Sequence, residues 1–311
     1  MDQKITYGMG WLRDLPDYRD YDFSTERLSS TKEKLGQESI KKMVGKLGVA
    51  RISKSTSKTV SKAKPPAAVD LRAWCSPVEN QLNLGSCTAQ AGVGLLEYFE
   101  RKASGNHVDA SRLFLYKVTR NLLEWDGDTG AYLRTTMAAL AMLGAPPERY
   151  WPYNVKQFDE EPSAFVYSLA DNYEAVSYYR LDPIGTPRST LLARIKRYLQ
   201  AKLPSMFGFR VYSSISQANT TGNIPFPFSG DNPVGGHAVV AVGYDDNLKI
   251  KHAAADAPTH KGALLIRNSW GTSWGDAGYG WLPYEYVKQG LAVDWWSLLR
   301  SEWVESKKFG L

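Results

Sequence analysis

The sequence predicts an α+β fold built from two packed halves, and two features of the chain lead to that prediction. Residues from about 75 to 170 contain long apolar segments with helix caps and stop signals. Residues from about 171 to 311 contain short β-type runs separated by Gly, Asn, Asp and Pro. A helical half followed by a β-rich half is typical of the α+β class, and a ligand cleft commonly forms where two such halves meet.

Residues 1–64 are predicted to form a unit of their own. The stretch "YGMGWLRDLPDYRDYDF" has the composition of an irregular surface segment, and "STERLSSTKEKLGQESIKKMVGKL" predicts a short polar helix capped by Ser24 or Thr25. The following "RISKSTSKTVSKAKPP" has too little apolar surface to pack and is interpreted as a flexible linker. We therefore expect a domain boundary near Pro65, with the main domain spanning residues 65–311.

The main domain begins with three predicted helices. Ser86 is expected to cap a buried helix from Cys87 to about Lys102. The segments "SRLFLYKVTRNLLEW" and "LRTTMAALAMLG" predict two more helices, and Gly144 ends the last of them. In the second half, the helix "TLLARIKRYLQAKL" precedes five predicted strands: "SMFGFRVY", "HAVVAVGY", "ALLIRN", "GYGWLPY" and "DWWSLLRSEWV".

Composition narrows the class of function. The net charge of +6 comes wholly from residues 1–64, which hold 14 Lys or Arg and 8 Asp or Glu. The main domain has no net basic field, which argues against a nucleic-acid partner for it. The sequence has neither an apolar run of about 18 residues nor the apolar core of a signal peptide. We expect no membrane contact, and a protein that is cytoplasmic or exported by a non-classical route.

The chain has two cysteines, and their positions suggest different roles. Cys75 is interpreted as a small buried residue. Cys87 opens a predicted helix, where it is either an inert apolar side chain or a nucleophile activated by the positive end of the helix. A nucleophilic thiol needs an imidazole partner. His107, His252 and His260 lie in polar turns or loops, whereas His237 opens the apolar strand "GGHAVVAVGY".

Two amide side chains could complete such a site. Asn268 ends a predicted strand and could hold an imidazole in one orientation, and Gln81 lies six residues before Cys87, where its amide could face a developing oxyanion. Taken singly, His237 fits a strand-end residue, Asn268 a turn residue and Gln81 an exposed loop residue. The His and Cys positions lack metal-ligand spacing, so neither a metal nor an organic cofactor is expected.

The order of these residues is similar to that of a known family. "PPAAVDLRAWCSPVENQLNLGSC", "GDTGAYLRTTMAALAMLGAPPERYWPY", "GGHAVVAVGYDD" and "LLIRNSWGTSWGDAGYG" resemble, in this order, the sequence blocks of papain-like cysteine peptidases. The resemblance covers roughly residues 66–304. It implies the papain-like fold, in which a helical half and an antiparallel, β-barrel-like half enclose the active-site cleft.

The resemblance also implies roles for single residues. Cys87 would be the nucleophile, His237 the general acid and base, Asn268 the residue that orients the imidazole and Gln81 an oxyanion donor. Gly130 would offer backbone hydrogen bonds to an extended peptide, and Trp270 would shield the site. Apart from the resemblance, Gly236 has no side chain and directly precedes His237, so it is expected to leave a roomy substrate pocket.

The chain also departs from the family pattern. Leu84 stands where the family usually has a disulfide cysteine, Thr88 stands where an aromatic residue is usual, and the loop 245–262 is long. The absent disulfides favour a bacterial-type relative. Residues 1–64 resemble a short pro-segment, which we expect to lie in or near the cleft and block it. The predicted function is therefore cysteine endopeptidase activity on peptides or proteins, made as a monomeric zymogen. The alternatives are an inactive papain-fold binding protein, or an acyltransferase or amidase on the same fold.

Overall fold

The computed structural model describes residues 7–26, 38–49, 65–173 and 177–311. The α-helices within these ranges are α1 (Ile40–Lys46), α2 (Cys87–Ser104), α3 (Arg112–Leu122), α4 (Leu133–Leu143), α5 (Ala164–Ala170), α6 (Arg188–Gln200), α7 (Tyr284–Lys288) and α8 (Ser301–Glu305). The strands are β1 (Trp11–Leu12), β2 (Ala68–Asp70), β3 (Ala131–Tyr132), β4 (Ser177–Arg180), β5 (Ser205–Tyr212), β6 (Pro233–Lys251), β7 (Thr259–Arg267), β8 (Tyr279–Pro283) and β9 (Ala292–Leu299). The helices from α2 to α5 precede six of the seven strands of the main sheet in the chain, in accord with the α+β prediction.

Seven strands form one antiparallel sheet. Its order is β4–β9–β5–β6–β7–β8, and β2 pairs with a further part of the long strand β6. The sheet does not close into a barrel, because β4 and β8 lie at opposite ends of this order within the described ranges. The β half is therefore an open sheet with β6 near its middle, and the barrel-like closure expected from the family resemblance is not formed.

Helix α2 is the central element of the helical half and packs against β6. Two glycines allow its close contacts, although glycine lowers the stability of a helix interior. A Cβ on Gly92 would lie 3.3 Å from side-chain atoms of Leu115 and Thr136, on α3 and α4. A Cβ on Gly94 would lie 3.0 Å from the Cζ atom of Arg267. The neighbouring elements therefore occupy the space that a larger side chain would need.

Two parts of the β half differ from the sequence prediction. Residues 249–251 pair with residues 259–261, so β6 and β7 extend through most of the predicted long loop as a hairpin. The end of the predicted strand "DWWSLLRSEWV" is instead helix α8. Trp303 of α8 stacks on Phe99 of α2 with ring centroids 5.2 Å apart, so packing against the helical half accounts for this change.

The described parts of the N-terminal unit pack on the main domain. Helix α1 buries Ile40, Met43 and Val44, and it is capped by Ser39. The predicted cap at Ser24 or Thr25 stays a prediction, because the residues that would follow it are not described. Residues 27–37 of the predicted polar helix and most of the predicted linker lie outside the described residues. Among the helices that the structure describes, none combines the length and the apolar character needed to span a membrane.

Candidate active site

Cys87 is fully buried at the first position of α2. The helix N-terminus favours a thiolate there, but burial has the opposite effect and is larger. Burial raises the pKa of the Cys87 thiol to about 11, although backbone N–H groups, including those of Ala238 and Gly10, partly offset the effect. Ser86 occupies the N-cap position without capping the helix through its side chain, because its hydroxyl forms a 2.7 Å hydrogen bond with the Tyr153 hydroxyl.

His237 lies on β6 and is held by Asn268, which follows the end of β7. The imidazole Nε2 is 2.7 Å from Asn268 Oδ1, which also accepts the backbone N–H of Ser269 at 2.8 Å. Because Oδ1 acts as an acceptor, Nε2 is assigned as the protonated ring nitrogen. This leaves the Nδ1 lone pair free to accept a proton, and Nδ1 has no hydrogen-bond partner among the described residues.

Aromatic rings enclose the imidazole. Trp270 stacks on His237 with ring centroids 4.5 Å apart, and Phe209 presents its ring in an edge-on arrangement at 5.9 Å. Burial lowers the pKa of His237 to about 4, although the hydrogen bond with Asn268 acts in the other direction. With both groups buried as they are here, burial therefore favours an uncharged imidazole and an uncharged thiol.

Strand β6 brings the thiol and the imidazole to one place. Ala238 directly follows His237, and its backbone N–H lies close enough to the Cys87 thiol to lower the pKa of that thiol. The predicted residues Cys87, His237 and Asn268 thus meet at the junction of α2, β6 and the end of β7. That junction is where the sequence predicts a cleft between the two halves.

Gln81 is buried beside this junction, unlike an exposed loop residue. Its Oε1 accepts the Ser269 hydroxyl at 2.5 Å, and its backbone N–H donates to the Ser269 carbonyl at 2.8 Å. Its Nε2 donates to the carbonyl oxygens of Gly8 at 3.0 Å and Leu84 at 2.8 Å. The predicted oxyanion donor is therefore positioned next to Asn268, and it already binds a carbonyl of the N-terminal segment.

The segment 7–12 runs across this site, and its residues 11 and 12 form strand β1. Gly10 donates its N–H to the Cys87 Sγ atom at 3.3 Å and accepts the Ala131 N–H at 2.8 Å. Strand β1 pairs in parallel with β3, with Trp11 opposite Ala131. Gly130 adopts a φ of 75°, and a Cβ there would lie 2.8 Å from the carbonyl carbon of Gly10. Gly130 therefore borders an extended peptide, which here belongs to the same chain.

Gly236 and Trp270 also contact this segment. A Cβ on Gly236 would lie 2.8 Å from Cε3 of Trp11. Trp270 stacks on Tyr7 with ring centroids 4.5 Å apart and an interplanar angle of 9°. Every residue predicted for the site therefore lies around one stretch of covered cleft.

Sequence reasoning missed the charged residues that hold the segment. Asp20 forms ion pairs with Arg134 at 2.7 Å and with Arg180 at 3.3 Å, and Asp14 also pairs with Arg134. Arg180 reaches the buried Asp294 at 3.1 Å. A signal for Asp294 was present, since it is the single charge within the apolar run "AVDWWSLL". We name Asp14, Asp20, Arg134 and Arg180 the charge clamp.

A comparison with protein families identifies the chain. Residues 65–292 match the model described as the papain family of cysteine proteases. The chain belongs to the papain family of cysteine proteases. This assignment confirms the family predicted for it, and with that the class of cysteine-type peptidases, which are hydrolases.

Curated relatives of this papain-family protease come from distant sources. A peptidase C1-like protein of Acanthamoeba polyphaga mimivirus is 34% identical over 223 residues, which is 70% of this chain and 68% of the viral protein. Cathepsin K of Gallus gallus is 30% identical over 227 residues, which is 70% of this chain and 58% of cathepsin K. The match thus spans less than two thirds of cathepsin K.

Solved structures agree with this family. Xylellain, a cysteine protease from Xylella fastidiosa, is 28% identical with a TM-score of 0.68, covering 96% of this chain and 98% of xylellain. The bromelain protease from Ananas comosus, solved with an inhibitor, is 18% identical with a TM-score of 0.52, covering 75% of this chain and 98% of bromelain. The bromelain likeness shows the fold alone, and xylellain fits the predicted bacterial type.

Proposed function

We propose that this protein is an endopeptidase that hydrolyses peptide bonds with Cys87 as nucleophile and His237 as general acid and base. The observation that carries the proposal is the imidazole held through Nε2 by Asn268, with Nδ1 left free, at the strand position beside the Cys87 thiol. The amide of Gln81 supports it, because this group is buried, fixed and already bound to a peptide carbonyl.

In the proposed reaction, Nδ1 of His237 accepts the thiol proton as the Cys87 sulfur attacks the substrate carbonyl carbon. The carbonyl oxygen gains negative charge, which the Gln81 amide and the Cys87 backbone N–H stabilise. His237 then gives its proton to the departing amine while the C–N bond breaks, which leaves a thioester. Water attacks the thioester, His237 takes a proton from it, and the acid product leaves as the thiol re-forms.

We further propose that residues 1–64 are a pro-segment that inhibits the main domain, and that the chain is a zymogen. Two contacts support this. The backbone N–H of Gly10 donates a hydrogen bond to the Cys87 sulfur, which is the proposed nucleophile. The Gly8 carbonyl accepts a hydrogen bond from the Gln81 side-chain amide, which would otherwise face the substrate oxyanion. The polar, Lys-rich sequence before Pro65 suits proteolytic removal of the segment, because such stretches are favoured sites of nicking.

The catalytic assignment is tested by Cys87→Ala in a full-length chain that also carries Gly10→Ala, because the added methyl group would collide with Gly85 and open the covered cleft. Cys75→Ala in the same background is the matched control. Cys75 is buried like Cys87, and its thiol makes a weak 3.8 Å contact with the Leu71 carbonyl. We expect Cys87→Ala to lower peptide hydrolysis by at least roughly a thousandfold, because no other group replaces the nucleophile. Cys75→Ala should keep its activity, and both variants should unfold cooperatively on heating. Unchanged hydrolysis by Cys87→Ala would refute the assignment.

A further inference from the structure

The Trp11 indole occupies a slot next to the candidate active site. Trp11 is 8% exposed, and a Cβ on Gly208 would overlap its ring. Gly236 borders the ring from β6, and it directly precedes His237. The absence of side chains at these two glycines therefore creates a space that admits a flat, two-ring side chain close to the reacting groups.

A buried carboxylate lies at the inner end of this slot. The indole Nε1 donates to Asp294 Oδ2 at 3.1 Å. The other oxygen, Oδ1, is already occupied by the Trp296 indole at 2.8 Å and by Arg180 at 3.1 Å. Asp294 is fully buried while Trp11 fills the slot, so in the covered state water does not compete for Oδ2. The slot thus presents one hydrogen-bond acceptor, Asp294 Oδ2, to the side chain that enters it.

The surrounding charges favour a neutral donor over a cationic one. Arg180 pairs with Asp294 at 3.1 Å and with Asp182 at 2.9 Å. Arg134 adds a second positive charge, because Asp20 bridges it to Arg180. Once Asp14 and Asp20 leave with the segment, these two arginines balance the two buried carboxylates, so the slot has no net negative charge to attract a cation. A lysine or arginine side chain entering the slot would approach Arg180, a like charge, in a site of low dielectric. An indole supplies the N–H without that repulsion.

We propose that this slot is a substrate subsite, and that Asp294 makes the enzyme select peptides with tryptophan at the residue that enters it. The inference rests on the proposed function, since it takes the N-terminal segment to occupy the place of a substrate. In the covered state Trp11 fills the slot. Once the segment leaves, the substrate side chain makes the same hydrogen bond to Oδ2.

The test compares substrates that differ in one N–H group. Fluorogenic peptides carry, at each position flanking the scissile bond in turn, either tryptophan or 3-benzothienylalanine, which has nearly the same shape but no N–H. The enzyme is the full-length Gly10→Ala variant, in which the added methyl group would collide with Gly85 and open the cleft. At one position we expect kcat/KM to be roughly tenfold or more higher with tryptophan, because the bond is to a charged acceptor.

Two further variants assign the effect to Asp294. Asp294→Asn keeps the shape of the side chain and turns an NH₂ group toward the indole N–H, so the preference for tryptophan should fall to about equal rates. Asp182→Asn is the matched control. Asp182 also pairs with Arg180, and it accepts the backbone N–H groups of Asp294 and Trp295 at 2.9 Å, with no bond to Trp11. This control should keep the preference.

The outcomes separate the inference from the proposed function. If the peptides are hydrolysed but tryptophan and its sulfur analogue react equally at every position, the inference is wrong and the peptidase assignment stands. The same conclusion follows if arginine is preferred over tryptophan in the slot. If no peptide is hydrolysed, the proposed function fails and the inference fails with it. The substrate pair needs no change to Asp294, so it tests the inference even where the Asp294→Asn variant folds poorly.

Discussion

Substituting Gly10 by alanine tests whether the N-terminal segment inhibits the enzyme. Gly10 lies over the Cys87 thiol, and a Cβ there would lie 2.7 Å from the Cα of Gly85 and closer still to its carbonyl oxygen. The obstacle is backbone, which cannot rotate away as a flexible side chain would. Gly10 does not have a positive φ, so alanine itself is compatible with the local backbone and the effect is steric.

The size of the effect follows from the contacts that the shift would break. The segment must move by more than about 1 Å to restore van der Waals distance. That movement breaks the 2.8 Å hydrogen bond from Ala131 and the 3.3 Å contact with the Cys87 sulfur, and it lifts Trp11 from its slot. With about 1 kcal/mol for each bond and some lost packing, the closed state is weakened by about 3 kcal/mol. The closed-to-open ratio then falls roughly a hundredfold.

The assay is the initial rate of fluorogenic peptide hydrolysis by the intact full-length chain, with integrity followed on a gel. We expect Gly10→Ala to raise this rate by up to roughly a hundredfold, limited by the rate of the 65–311 fragment. Gly45→Ala is the matched control, because Gly45 lies in helix α1 of the same unit and a Cβ there meets nothing within 4 Å. Inhibition by the segment is disproved if Gly10→Ala is no faster than Gly45→Ala, or if the wild-type chain is as fast as the fragment.

Two further predictions concern charge in the covered site. Alkylation of Cys87 by iodoacetamide at pH 6 should be slow in the wild-type chain, because burial raises the pKa of the thiol to about 11. Alkylation should be much faster in Gly10→Ala. The two rates are measured by mass spectrometry, and equal rates would contradict this prediction. Because burial lowers the pKa of His237 to about 4 from 6.5, the unfolded state gains a proton first as pH falls from 6.5 to 4. Over that range the free energy of unfolding of the wild-type chain should drop about 3 kcal/mol more than that of His237→Gln. Urea unfolding at a series of pH values measures both free energies, and parallel dependence on pH in the two chains would contradict this prediction.

The sequence was most informative where local chemistry and chain order agree. Helix α2 begins at Cys87 as predicted, and strand β5 coincides with the run "SMFGFRVY". The candidate site could be assembled before any geometry, because the blocks around Cys87, His237 and Asn268 have the order of a known family. The structure places Asn268 Oδ1 at 2.7 Å from the imidazole, while the catalytic roles of these residues stay predictions.

The contacts that hold the N-terminal segment could not be read from the sequence. Trp11 and Asp294 are 283 residues apart, and no local pattern specifies that a strand at one end of the chain donates to a carboxylate at the other. Local sequence also does not show which of several hydrogen-bond partners a side chain will bind. Ser86 has the right type and position for a cap, yet its hydroxyl is bound to Tyr153. Such choices depend on the tertiary arrangement, which propensities do not contain.

The two anchors of the N-terminal unit have a consequence for its proposed removal. Near the site, the segment is held by the Trp11 slot and by the charge clamp, while helix α1 buries Ile40 and Met43 elsewhere on the main domain. While the chain is continuous, these contacts act at the high effective concentration of a tethered ligand. A cut in the Lys-rich stretch before Pro65 breaks none of them, but it makes them intermolecular. Release then depends on dilution and on substrate competing for the same slot. The affinity of the slot for tryptophan thus sets both which peptide enters the cleft and how readily the enzyme's own segment leaves it.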